Sequence, residues 1–148
     1  MSIFSMYFSF LSLSPIYRIM YYIEFCAGQC KKRFTAYLST ASSHNYCSRK
    51  QANEFQRLLN IQPESIPSYK VKDATGRIQE IHEKIIVPVI FYFSNAKKAN
   101  FKLSFHVIPV MQNITLGCDF IFDGPRCSLT SKYLTFNDGR SIRINFQS

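Results

Sequence analysis

The sequence predicts a mostly β domain, and three observations carry that reading. Its 148 residues suit a single domain, and 47% of them are hydrophobic, enough to bury a core. The aromatic complement of 14 Phe and 9 Tyr favours strands over helices. The stretch 101–108 alternates, with Phe101, Leu103, Phe105 and Val107 on one face and Lys102, Ser104, His106 and Ile108 on the other. Ala-rich helical runs are absent.

In chain order, 19–25 is rich in Ile, Tyr and Phe and reads as a strand. Ala27-Gly28-Gln29 supplies a turn in which Gly takes positive φ. The chain returns over 32–39, where Phe34, Ala36 and Leu38 alternate with Arg33, Thr35 and Tyr37. A short strand is expected at 44–47. Ser48-Arg49-Lys50-Gln51 is a capping box, in which serine and glutamine satisfy orphan amides at a helix start. Ala52, Phe55, Leu58 and Leu59 follow at helical spacing, with Asn60 as the stop and Pro63 beyond it.

Downstream, Asp73-Ala74-Thr75-Gly76 forms a turn between short polar strands within 68–79. The strongest strand is 84–93, where Pro88 predicts an edge position or a bulge. A turn at 94–100 leads into the alternating strand. A strand at 113–116, a helical turn at 119–122 and a terminal hairpin over 133–144 about Asn137-Asp138-Gly139 complete the chain.

The net charge of +9 implies acidic surroundings or partners. Its densest runs, Lys31-Lys32-Arg33 and Lys97-Lys98 with Lys102, lack the aromatic interleaving of single-strand binders, so nucleic acid is a minor alternative partner. Cys26, Cys30, Cys47, Cys118 and Cys127 form no disulfide framework. With His44, His82 and His106 scattered singly, they give no metal-ligand set, and neither metal nor cofactor is expected. Reduced thiols point to an intracellular, cytoplasmic location.

Residues 1–17 carry no charge and include eight apolar side chains from Ile3 to Leu13. They lack a basic n-region and are short for a membrane span, which Arg18 ends, so no membrane partner is firmly indicated. Three readings stand: a poor signal or anchor, an extra strand, or a non-native leader. The last is adopted, giving a leader at 1–18 and a domain at 19–148.

Two motifs carry a family resemblance. Ala36-Tyr37-Leu38-Ser39-Thr40-Ala41-Ser42-Ser43 resembles the strand and Asp-Thr/Ser-Gly turn of retropepsin-like aspartic proteases from retroviruses and long-terminal-repeat retrotransposons. Ser39 stands in the place of the aspartate and Ala41 in that of the glycine. Leu116-Gly117-Cys118-Asp119-Phe120-Ile121 resembles the family's Gly-x-Asp-Phe signature. The order of hairpin, Ser/Thr-rich turn, helix, flap-like turn, long strand and Gly-x-Asp-Phe strengthens both, over roughly 19 to 145. The resemblance implies a closed β-barrel of the retropepsin type with one or two short helices. It implies a homodimer formed through terminal strands, and an extended peptide in the cleft.

In that family two carboxylates, one per subunit, share a proton and activate water. Ser39 is neither ionised nor basic, so the chain is expected to be a catalytically impaired protease relative, with an active aspartic endopeptidase as the weaker alternative. Thr40 is kept and implies a brace across the dimer. The resemblance places Asp73, Ala74, Thr75 and Gly76 in the flap turn. They are rejected as a displaced Asp-Thr-Gly because Lys70-Val71-Lys72 before them is polar, and the interval to Gly117 leaves little room for a helix and a flap. The resemblance makes Leu116, Gly117 and Asp119 structural positions: it implies that Gly117 lets the chain pass close beneath the active loop, and Asp119 is expected to make structural hydrogen bonds rather than act in catalysis. As a nucleophile, Ser39 needs a base held by a third group, and no partner is legible for His44.

Overall fold

The computed structural model describes residues 20–39, 42–72, 76–93, 97–110, 113–123, 128–129, 133–136 and 139–147. The leader at 1–18 lies outside them. The elements are β1 (Met20–Ala27), β2 (Arg33–Leu38), β3 (Asn45–Ser48), α1 (Arg49–Leu59), β4 (Glu64–Lys72), β5 (Ile78–Tyr92), β6 (Lys98–Ile108) and β7 (Ile114–Leu116). A π-helical turn (Asp119–Asp123) and four short strands follow: β8 (Ser128–Leu129), β9 (Tyr133–Thr135), β10 (Ser141–Arg143) and β11 (Asn145–Gln147).

The main sheet runs β11-β1-β2-β7-β3-β6-β5-β4, and a further pairing of β1 with β5 closes six of these strands into a barrel. The expected mostly β, closed architecture is therefore present. β11 and β4 lie outside the closed ring, and β10-β9-β8 form a small second sheet. Inward-facing residues build the core. Phe25 packs against Phe34, Phe91 and Phe105 with ring centroids 5.7, 6.1 and 6.2 Å away.

The helix forms where its caps and apolar stripe predict. The Ser48 hydroxyl accepts from the Gln51 amide at 3.1 Å, and Gln51 Oε1 accepts from the Ser48 amide at 2.7 Å. Asn60 ends the helix in the left-handed region at φ 53°. Phe55 plugs the barrel, 4.9 Å from the Phe34 ring and 6.0 Å from that of Phe105. Ion pairs Lys32–Glu54 and Arg49–Glu83 tie the middle of α1 to the β1–β2 turn and its first residue to β5.

Three local expectations change. The polar strand expected to end at 79 and the apolar one expected at 84–93 are continuous: β5 runs unbroken from Ile78 to Tyr92, 15 residues. Its first part pairs with β4 as an arm that is mostly exposed and buries only Val71 and Ile81, so few of its positions need be apolar. Pro88 lies inside the sheet, opposite Lys102. It falls between the last pairing with β4, at Lys84, and the first with β1, at Val89, where the ladder is locally interrupted. The outer face of β6 is also covered: Ile108 is fully buried in a second apolar cluster with Tyr46, Val71 and Ile81.

Candidate functional site

The site grows from two adjacent strand ends. β2 and β7 run parallel, pairing Leu38 with Leu116. The next residue, Ser39, donates its amide to the Leu116 carbonyl at 3.0 Å. The chain then returns, and the Ser42 and Ser43 carbonyls accept from the Cys118 and Asp119 amides at 2.7 and 3.1 Å. Asn45 completes the join: its Oδ1 accepts from the Gly117 amide at 2.9 Å, and its Nδ2 donates to the Ser104 carbonyl at 3.1 Å. The Ser42 hydroxyl donates to the His44 carbonyl at 2.8 Å.

This stitching explains Gly117. A Cβ there would fall under 3.0 Å from the backbone oxygens of both His44 and Ser42, which have no room to retreat. Leu116 is fully buried beside it. Ser39 is also buried, at 8% exposure, and its hydroxyl has no hydrogen-bond partner among the described residues. Thr40 and Ala41 lie outside the described residues, as do Asp73, Ala74 and Thr75. Gly76, the last residue of the expected flap turn, is exposed at φ 86° between β4 and β5.

A polar chain extends from this joint. His44 Nδ1 lies 2.8 Å from Asp119 Oδ2. A neutral His44 donates Nδ1–H to that carboxylate and leaves Nε2 free as a base. The His44 ring stacks on His106 of β6 at 4.2 Å and 15°. His106 Nδ1 then meets the Tyr69 hydroxyl of β4 at 2.5 Å, and Tyr69 meets the Tyr46 hydroxyl at 3.0 Å. Burial, with His44 adding to it, lowers the His106 pKa to about 4, and burial raises that of Tyr69. His106 is thus neutral at pH 7.

Two sequence expectations are corrected here. His44 has an orienting partner, Asp119, which sequence spacing does not reveal. Two of the histidines read as scattered are in contact, because β3 and β6 pair in parallel with Tyr46 opposite His106. No local signal in the sequence announces that register. His44 and Ser39 are nevertheless not hydrogen-bonded to each other, so no nucleophile–base pair is assembled. Among the described residues no group of three His, Cys, Asp or Glu is arranged to hold a metal ion. Cys26, Cys30, Cys47 and Cys118 are free thiols. No helix among the described residues is long and apolar enough to cross a membrane.

No protein-family model and no curated protein matches the sequence. Among solved structures, the chain is similar to the retroviral protease-like domain of Ddi1 from Leishmania major. The TM-score is 0.56 at 18% identity, covering 84% of this chain and 93% of the other. At that identity the likeness establishes the fold, which is retropepsin-like.

Proposed function

We propose that the chain is a retroelement-derived aspartic-protease-like domain that does not hydrolyse peptides. The observation that carries this reading is Ser39. It is buried at the end of β2 and bonded to Leu116, just ahead of Gly117. In retropepsin-like proteases the matching motif position holds the aspartate. A shared proton between two carboxylates is the source of both acid and base in that chemistry. Two serine hydroxyls hold no exchangeable charge at neutral pH and cannot polarise water in that way.

In this reading the domain pairs with a second copy through its terminal strands. Among the described residues β11 is the last strand at one edge of the main sheet and has β1 as its single sheet neighbour. Its outer edge supports that role. The unpartnered Ser39 hydroxyl would then face its counterpart across the two-fold axis.

The test is incubation of the purified protein with a broad peptide library at acidic and neutral pH. No cleavage is expected. Pepstatin-sensitive cleavage overturns the proposal. The double variant Ser39→Asp/Ala41→Gly is expected to gain pepstatin-sensitive activity.

A second reading is a peptide-binding module without catalysis. It is favoured by β4, which among the described residues has β5 as its only sheet neighbour and leaves its other edge open to strand addition. An extended peptide that shifts β4 amide resonances on titration supports this reading.

A further inference from the structure

We propose that the concavity where β1, β5 and the β10–β11 segment meet is a nucleotide site, with the phosphate between Arg33 and Arg143 and the base against Tyr92. The cavity measures about 230 Å³ and shares no residue with the Ser39–Gly117 joint. Arg33 and Arg143 both line it and are exposed. Neither has an ion pair or a side-chain hydrogen bond among the described residues.

Two guanidinium groups lining one concavity add their positive potential there and favour an anion. Their planar forks match phosphate oxygens in bidentate geometry. Tyr92, another lining residue, is 48% exposed, unusually open for a large ring in this core-rich chain. Its face is available for stacking, while buried Phe25 and Phe93 form an apolar floor.

The remaining charged lining residue is Glu24, which is exposed and also makes no ion pair among the described residues. A carboxylate repels phosphate but accepts from the amino or imino N–H of a base. All four polar or aromatic groups line one concavity, so a ligand with both a phosphate for the arginines and a base for Glu24 and Tyr92 uses each of them. A simple carboxylate ligand would use the arginines and leave the ring and Glu24 without a role. The volume admits a phosphate and a ring, not a duplex. The net charge of +9 raises the local concentration of such anions. The shared chemistry is a nucleoside phosphate, supplied either as a free nucleotide or as one residue of a single strand.

The test uses the full chain and a fluorescein-labelled single-stranded oligouridylate, read by anisotropy against salt concentration. Competition by uridine monophosphate and by inorganic phosphate distinguishes the sources. Displacement by the monophosphate identifies a free-nucleotide site, and binding by the oligomer alone identifies a strand site. In either case Arg33→Gln/Arg143→Gln weakens binding at least about tenfold. It also lowers the slope of log affinity against log salt by about 1.4, two contacts at about 0.7 each. Tyr92→Ala weakens binding about tenfold and leaves the slope unchanged.

All three side chains are exposed, and circular dichroism verifies that the variants fold. The control Lys50→Gln/Arg57→Gln removes the same charge from α1 and is expected to leave affinity within about twofold. Equal weakening by the control means diffuse attraction only and overturns the site. So does insensitivity to the arginine pair, or no binding by the wild-type chain.

Discussion

The imidazole of His44 lies over that of His106, 4.2 Å away and 15° from parallel. One proton on such a pair disfavours a second on its neighbour. The half-buried His106 has its pKa lowered from 6.5 to about 4, first by desolvation and then by His44. Asp119 opposes this shift, and Lys84 adds to it. The unfolded chain therefore binds the extra proton between those values, and acid favours unfolding.

Stability held by neutral His106 is complete above about pH 6.5 and is lost as pH falls toward 4. Because the ring is partly solvated, the loss is about 1–2 kcal/mol rather than the full linkage value. Urea midpoints measured from pH 7 to 4 check this. His106→Asn is expected to flatten the profile relative to wild type over that window, and an unchanged slope rules out His106 as its source.

Gly117→Ala is expected to destabilise the fold by about 2–3 kcal/mol, since the added methyl meets two backbone carbonyls at once. Gly76→Ala is the informative comparison. It has open space and only its positive φ of 86° to strain, so about 1 kcal/mol is expected. Guanidinium unfolding of both variants ranks them, and a reversed ranking would show that the Ser42–His44 return yields to the methyl.

Ser39→Asp places a carboxyl where exposure is 8%. Burial disfavours its charged form and raises its pKa above the usual carboxylate range. A raised folded-state pKa contributes stability below the unfolded value, and that stability is lost as pH rises. Relative to wild type, the variant should therefore be more stable at pH 4 than at pH 7, by about 1–3 kcal/mol. Paired thermal melts at the two pH values test the sign.

Burial raises the Cys47 thiol to about 12, leaving almost no thiolate at neutral pH. An aromatic disulfide reagent at pH 8 should modify half-exposed Cys30 and Cys118 in the native protein and reach Cys47 only on unfolding. Mass mapping of the labelled peptides reads this out, and early labelling of Cys47 contradicts its placement in the core.

Local signals made much of this fold legible. Ser48 and Gln51 form the predicted box, Asn60 ends the helix, and Leu103, Phe105 and Val107 face the core as their alternation predicts. The joint between Ser39 and Leu116 was accessible only through the family resemblance, because it depends on a parallel pairing between distant strands. The His44–Asp119–His106 cluster escaped for the same reason. His106 reads simply as a polar-face position of its alternating strand; the β3–β6 register brings it to His44, and the Asp119 amide on the Ser43 carbonyl brings Asp119 there. β5 reads in the sequence as two segments because 78–84 is mostly polar, with Ile81 its one buried residue.

The barrel closes through little more than Cys26 opposite Ile90 and Ala27 opposite Val89, with the Gly28 amide on the Pro88 carbonyl at 2.7 Å. The neighbouring β5–β6 ladder runs through nine residue pairs. The wall is therefore thinly bonded at this closure, and thermal breathing there is expected to exceed that in the β5–β6 ladder. Amide exchange at the ends of β1 should outrun exchange in the middle of β6 while the molecule remains folded. The same narrow closure is the natural last step of assembly, since it joins segments more than sixty positions apart and fastens them with few bonds.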